Sequence, residues 1–210
     1  MTQDLRRALS HVRWIGGATD AGKTTVARIL AERHGFQIYH YDPRDLPHHR
    51  RLAQTNPEYR AALEASMDER WVYPEPEELV QRALRVMQDR FPLVVEELLA
   101  LPRRPTILAE GFGFMPEHIV PVLSSSRQAI WLVPTESFKL ASMKRRKKPS
   151  FAGKTSDPER AARNLFRRDM LLAEIVRDQA QTRGLTVYEI DGSLSSGEVA
   201  TLLETHFEFN

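Results

Sequence analysis

"GATDAGKT", residues 17–24, stands directly behind the short apolar run Val12 to Ile15 and runs into "TVARILAERHG", 25–35. Gly17, Gly22, Lys23 and Thr24 meet the spacing Gly-x-x-x-x-Gly-Lys-Ser/Thr. Each residue type has a physical task in that pattern. Glycines let the backbone curl until successive N–H groups point inward at phosphate oxygens. The helix that follows adds free N–H groups and the positive end of its dipole. Lys23 can reach β and γ phosphates, and the Thr24 hydroxyl is a hard oxygen ligand suited to Mg²⁺. Residues 17–25 (Gly17, Ala18, Thr19, Asp20, Ala21, Gly22, Lys23, Thr24 and Thr25) are therefore expected to cradle a nucleotide's phosphates.

Working outward, Val12 to Ile15 reads as a first strand. "TTVARILAERHG" reads as a helix with Val26, Ile29 and Leu30 on one side and Gly35 as its stop. "QIYHYD" reads as a second strand ending on Asp42, "TILAEG" as a third ending on Glu110, "QAIWLV" as a fourth, and "LTVYEI" as a fifth ending on Asp191. Strands alternating with helical patterns predict a parallel α/β sheet. Residues 43–105 form a long, mostly helical excursion in which Pro57 and Pro76 each open a segment. "LVVEELLAL" places Val94, Val95, Leu98 and Leu99 at helical spacing, so Glu96 and Glu97 read as a solvated helix face rather than a catalytic acidic pair. In open α/β sheets ligands sit at the carboxyl ends of the strands, where Asp42, Glu110 and Asp191 fall.

Composition narrows the class. The chain has 210 residues, 41% hydrophobic and 28% charged, which suits one globular unit, 1–210, with a real core. It has no cysteine, hence neither a disulfide framework nor a thiolate metal site. No apolar run has the length of a signal peptide or a bilayer span, so a cytoplasmic, non-membrane protein is expected. The formal net charge is only +2, although Arg outnumbers Lys 24 to 6. Only "KRRKK", 144–148, is basic enough to need its own reading, either a nucleic-acid patch or a phosphate-facing lid.

Together these segments resemble the small P-loop kinases of the nucleoside, nucleotide and small-metabolite type, with an adenylate-kinase-like architecture. "WIGGATDAGKTTVARIL" is similar to their first strand, loop and helix. "IYHYD" and "ILAEG" resemble their acidic strand ends, "VPTESFKLASMKRR" their helix into a lid, and "IDGS" the loop bordering the base. The resemblance implies a three-layer α/β/α P-loop NTPase fold: a five-stranded parallel sheet, a helical acceptor-binding insert at about 43–105, and a lid at about 144–158. It implies ATP or GTP as donor, because Ala141 stands where such enzymes often carry an arginine packed on adenine. Asn-Lys-x-Asp, which a GTPase needs for guanine, is absent from the sequence.

Roles follow by position. Lys23 neutralises phosphate charge. Asp42 is assigned to an acceptor hydroxyl as base, and Glu110, with Thr24, to Mg²⁺, although the two carboxylates could exchange jobs. Arg145 and Arg146 match lid-entry arginines, and Arg163 and Arg167, one helical turn apart, could reach the same phosphates. Arg145 and Asp191 also fall where the base would lie. The insert offers Arg44, His48, His49, Arg50 and Arg51, with Trp71 and Tyr73 read as core first and as a ring platform second. A polar or anionic small-molecule acceptor fits this basic stretch. Nucleoside monophosphate kinases tend to have an arginine where this chain has Phe114, which together with Asp42 favours a hydroxyl acceptor. A monophosphate kinase and a nucleotide-binding regulatory or nucleic-acid-binding protein stand as the alternatives, and nothing in the sequence sets the oligomeric state.

Overall fold

The computed structural model describes residues 2–145 and 151–209. Its centre is a five-stranded, wholly parallel sheet: β1 (Val12–Gly17), β2 (Gln37–His40), β3 (Ile107–Glu110), β4 (Ala129–Pro134) and β5 (Thr186–Ile190), in the order β2-β3-β1-β4-β5. β3 and β4 are buried along their whole length, which is why they read as continuous apolar runs rather than alternating ones.

Side chains alternate between the two faces of the sheet, and each face has its own core. Trp14, Tyr39, Ala109 and Trp131 point to one side, with Met87, Val94 and Leu98 of α6 (Pro76–Ala100) and Leu172 and Val176 of α9 (Pro158–Thr182). Ile15, Leu108, Ile130 and Leu132 point to the other, against Val26 and Leu30 of α2 (Lys23–His34) and Val199 and Leu203 of α10 (Ser196–Phe207). Two helical layers thus sandwich the sheet, as expected for a three-layer P-loop α/β fold.

β1 leads by way of α2 to β2 on one side, while β3 leads to β4 on the other. The adjacent β1 and β3 therefore send their connections apart, and a crevice opens beyond their carboxyl ends. α2 fills the expected span and stops at Gly35, whose φ of 68° closes the helix through an N–H bond to the Ala31 carbonyl.

Between β2 and β3 lie α3 (Asp45–Leu52), α4 (Pro57–Glu64), α5 (Met67–Trp71) and α6, with Pro57 and Pro76 opening α4 and α6. This insert is fastened to α9. The Asn164 side chain donates to the carbonyls of Trp71, Val72 and Pro74 at 3.1, 3.4 and 3.0 Å, and Arg160 pairs with Glu75 at 2.9 Å. Beneath it, fully buried Arg90 donates to Asp45 at 2.7 Å and to the Tyr41 carbonyl at 3.0 Å, with its guanidinium 3.8 Å from the Tyr41 ring centre.

Some elements depart from the sequence reading. β1 runs two residues further, to Gly17. β2 ends at His40, and Asp42 opens a single helical turn, Asp42–Arg44, because Pro43 takes the first-turn position it prefers. α1 (Thr2–Ala8) and the short α7 (Pro116–Ile119) have no strong period and were not expected. Tyr73 is not core: it is 64% exposed, and Trp71 is half-buried. Among the described residues no helix is long and apolar enough to cross a membrane.

Candidate active site

The phosphate loop is fixed by its neighbours before any ligand arrives. Gly17 has φ 113°, and a Cβ there would lie 2.0 Å from the Leu132 carbonyl oxygen, so only glycine fits beside β4. The Ala18 N–H donates to that same carbonyl at 3.0 Å. Gly22, with φ 78°, turns the chain into α2, and the Lys23 ammonium folds back to donate to the Ala18 carbonyl at 2.6 Å. The curled backbone leaves a cavity of about 460 Å³ at the start of α2, lined by Thr19, Asp20, Gly22, Lys23, Thr24, Thr25, Arg28 and Asp42. Helix dipole and loop N–H groups both make this end anion-seeking.

The acidic strand ends converge on the loop. The Thr24 hydroxyl donates to Glu110 Oε2 at 3.0 Å, and His40 Nδ1 sits 2.6 Å from Glu110 Oε1. Glu110, only 2% exposed, is thereby held by both oxygens. Hard oxygens from a threonine and a carboxylate are what Mg²⁺ selects, and Mg²⁺ commonly takes few protein ligands and completes its shell with substrate phosphates and water. The donor set fits that use. Among the described residues there is no group of three or more His, Cys, Asp or Glu able to hold a metal unaided.

Asp42 reaches the same cavity from beyond β2. Water touches it, yet partial desolvation raises its carboxyl pKa; nearby Lys23 lowers it, Glu110 raises it, and a bond from the Phe112 backbone N–H lowers it. The net shift is upward, which makes the ionised carboxylate a somewhat stronger base. Burial pushes the Lys23 ammonium pKa down, while Asp42, Glu110, Asp20 and Asp169 pull it back up.

A second cavity, about 690 Å³, lies between α8 (Glu136–Arg145) and the start of α10, lined among others by Phe138, Ala141, Arg145, Asp191 and Ser195. It brings Arg145 and Asp191 together where a base was expected. The Arg145 guanidinium stands 5.7 Å from the Phe138 ring centre, and Asp191 accepts from the Ser193 N–H and hydroxyl at 2.8 and 2.6 Å, which lowers its pKa. Arg145 does not line the phosphate cavity. Arg163 and Arg167 face solvent, Arg163 lying 3.6 Å from Glu159. Arg146, Lys147 and Lys148, the centre of the expected lid, lie outside the described residues.

The insert's basic stretch is dispersed. Arg51 pairs with Glu96 at 2.7 Å on the surface, as a solvated face requires. Glu97, however, is engaged: it accepts from the Tyr39 hydroxyl at 2.5 Å and lies 3.3 Å from buried His48. His49 and Tyr73 line a separate groove between α4 and α6.

Four residues at the site were not singled out from sequence: His40, Lys139, Arg168 and Asp169. Lys139, 1% exposed, donates to Thr19 Oγ1 at 2.7 Å and to Asp20 and Asp169 at 2.9 Å each. The Thr19 hydroxyl donates to Asp169 at 2.6 Å, and Arg168 pairs with the other Asp169 oxygen while lying 5.0 Å over the Trp71 ring. Asp169 could have been found. It lies on the apolar stripe of α9, one and two turns before Leu172, Ala173 and Val176, where a carboxylate needs a buried partner. Arg90, between Met87 and Val94, carries the same signal.

No family model and no curated protein matches the chain. Among solved structures it is similar to a shikimate kinase from Acinetobacter baumannii in complex with shikimate: 17% identity and TM-score 0.44, over 99% of this chain and 98% of that one. It is also similar to a NadR protein in complex with NR, with 14% identity, TM-score 0.46 and 98% of this chain covered, but it spans only 54% of that chain. An uncharacterized protein from Eubacterium ventriosum shows 13% identity and TM-score 0.44, over 95% of this chain and 98% of that one. Likenesses this loose carry no argument. The class is set by the chain's own parallel sheet, with its phosphate loop between β1 and α2 at the switch point: a P-loop α/β protein.

Proposed function

We propose that the chain is a small-molecule kinase that moves the γ-phosphoryl group of ATP or GTP to a hydroxyl. One observation carries the reading: Asp42 and Lys23 line the same 460 Å³ cavity, a carboxylate of raised pKa facing a phosphate-binding lysine. In this reading the loop N–H groups and Lys23 hold the β and γ phosphates. Asp42 accepts the proton of the acceptor hydroxyl as its oxygen bonds to the γ-phosphorus, and the bond from that phosphorus to the β–γ bridging oxygen breaks. Positioning and charge neutralisation supply most of the acceleration for such transfers. Thr24 and Glu110 are the oxygen pair that would hold a Mg²⁺, which shields the phosphate charge. His40 keeps Glu110 oriented through its second oxygen. The cavity by Arg145 and Asp191 is assigned to the base.

A monophosphate acceptor needs cations rather than a base. Phe114, where that arginine would stand, is fully buried edge-on to Trp14, with ring centres 5.1 Å apart, and offers no charge. A polar or anionic hydroxyl compound, with its specificity set by the 43–105 insert, is the acceptor class. The test is a screen of nucleosides, nucleotides, sugars and hydroxylated metabolites against ATP and GTP, with products identified by mass. One added phosphoryl group on a hydroxyl is expected. Products confined to nucleoside diphosphates from monophosphates would replace this reading with the monophosphate kinase.

A further inference from the structure

The phosphate loop carries an acidic residue, Asp20, at a point where triphosphate charge has to be accommodated. It also holds that residue in the left-handed region, φ 67°, which side chains other than glycine enter rarely and Asn or Asp most readily. An anionic side chain in an anion-binding loop is self-opposing unless its charge is cancelled locally. Lys139 supplies the cancellation. Its ammonium is buried at 1% exposure and makes three bonds at once, to Asp20, to Thr19 Oγ1 and to Asp169. Burying a lysine without partners is costly, so an ammonium with three oxygens around it fixes the geometry of all three.

The clamp joins parts of the chain far apart in sequence. Lys139 sits in the second turn of α8, whose far end leads into the residues expected to form the lid. Asp169 sits in α9, where burial alone would raise its pKa, but Arg168, Lys139 and the Thr19 hydroxyl together hold it below its usual value. Arg168 continues the chain of contacts to the ring of Trp71 at the end of α5. The middle of the phosphate loop is thus tied to both helices that flank the expected lid and, through α9, to the insert.

We infer that Lys139 is a positioning residue for nucleotide binding: by neutralising Asp20 and Asp169 it holds Thr19–Asp20 in the shape that lets the loop N–H groups face phosphate. The inference rests on the phosphate-loop reading and adds a residue that contacts neither reacting group. Without Lys139, Asp20 and Asp169 face each other with one cation fewer, and the left-handed turn at Asp20 loses a buried ion pair.

The test uses the full chain, Lys139→Met, and the double variant Asp20→Asn/Lys139→Met, with ATP and GTP affinities measured by direct titration. Lys139→Met should weaken nucleotide binding at least tenfold while changing the KM of the acceptor less than threefold. The double variant should recover affinity to within about threefold of wild type, because Asn tolerates the same left-handed turn without the opposing charge. A folded Lys139→Met that binds nucleotide as tightly as wild type overturns the inference, and so does a double variant as weak as the single. If Lys139→Met fails to fold, recovery of both fold and binding in the double variant supports the inference; failure of both variants to fold makes Lys139 a general core residue and overturns it. A wild-type chain that binds neither nucleotide would instead overturn the phosphate-loop reading, an outcome read before any variant is made.

Discussion

Replacing Asp42 by Asn tests the chemistry most directly. The change keeps side-chain volume and an oxygen able to accept the Phe112 N–H, and removes only the charge and the basic oxygen. If Asp42 takes the hydroxyl proton, the loss is that of a general base, about 10²-fold to 10⁴-fold in kcat. At 1.36 kcal/mol per tenfold, that corresponds to about 2.7–5.4 kcal/mol of barrier. Nucleotide affinity should move the other way, if at all. Asp42 is the first of the carboxylates acting on Lys23, so its removal takes negative charge away from the place proposed for the γ-phosphate. The two readouts therefore separate: turnover on the true acceptor, followed by mass of the product, falls at least a hundredfold, while the nucleotide Kd stays level or tightens. The pH profile adds an independent check. Because the Asp42 pKa is raised, the wild-type rate should climb with pH through a value above that of an ordinary aspartate, and the Asn variant should lose that limb. A folded Asp42→Asn protein with wild-type kcat on a hydroxyl acceptor refutes the base assignment.

Lys23→Ala should leave the thermal transition within a few degrees and cost about 10²-fold to 10³-fold in turnover, the scale for removing one preorganised charge donor; near-wild-type turnover would remove the phosphate-loop assignment. Thr24→Val deletes one oxygen at nearly constant volume, so a Mg²⁺ titration of activity should shift its midpoint to higher metal, and an unmoved midpoint counts against Thr24 as a ligand. Burial holds His11, His48, His118 and His206 below their ordinary pKa of 6.5. The unfolded chain then binds protons the fold refuses, so stability is full above about pH 6.5 and falls as pH drops through the lower folded values. Melting curves from pH 8 to pH 5 should show a plateau and then a decline, and a flat profile would show that these imidazoles titrate normally.

The sheet was legible because its signals are local. The glycine spacing forces the loop after β1, runs of branched and aromatic residues mark the strands, of which β3 and β4 are buried on both faces, and Gly35 ends α2 where the pattern stops. Glu110 was legible for the same reason, as the last residue of an apolar strand whose carboxyl end opens on the loop. Asp42 was picked as the end of the second strand, whereas it lies in a turn beyond β2 and lines the phosphate-loop cavity from there. What escaped depends on pairing across long separations. Nothing near Lys139 in sequence announces that its ammonium will be buried, because the carboxylate that buries it is thirty positions away on another helix. His40 reads as one more strand residue until β3 sets it opposite Glu110 in the pairing register. The expected phosphate contacts of Arg163 and Arg167 rested on helical phase alone, and the phase of α9 turns their neighbour Arg168 inward instead.

Taken together, these charges bear on the form of nucleotide that the proposed kinase would accept. Around the loop stand four carboxylates, Asp20, Asp42, Glu110 and Asp169, all close enough to act on Lys23. Against them are Lys23, Lys139, Arg168 and the exposed Arg28 on the cavity wall, with Lys139 and Arg168 committed to Asp20 and Asp169. The side chains therefore leave Lys23 and Arg28 balanced against Asp42 and Glu110, with no positive excess, in a cavity proposed to take a polyanion. Loop N–H groups and the α2 dipole offset part of the polyanion's charge, each dipole end being worth only about half a charge. The remainder has to arrive with the ligand. A nucleotide already carrying a divalent cation brings its own neutralisation and gives Glu110 and Thr24 something to bind, whereas a bare triphosphate meets Glu110 as a like charge. In the proposed kinase, Glu110 would thus oppose a bare triphosphate and favour the metal complex, the carboxylate that repels one being the group that holds the other.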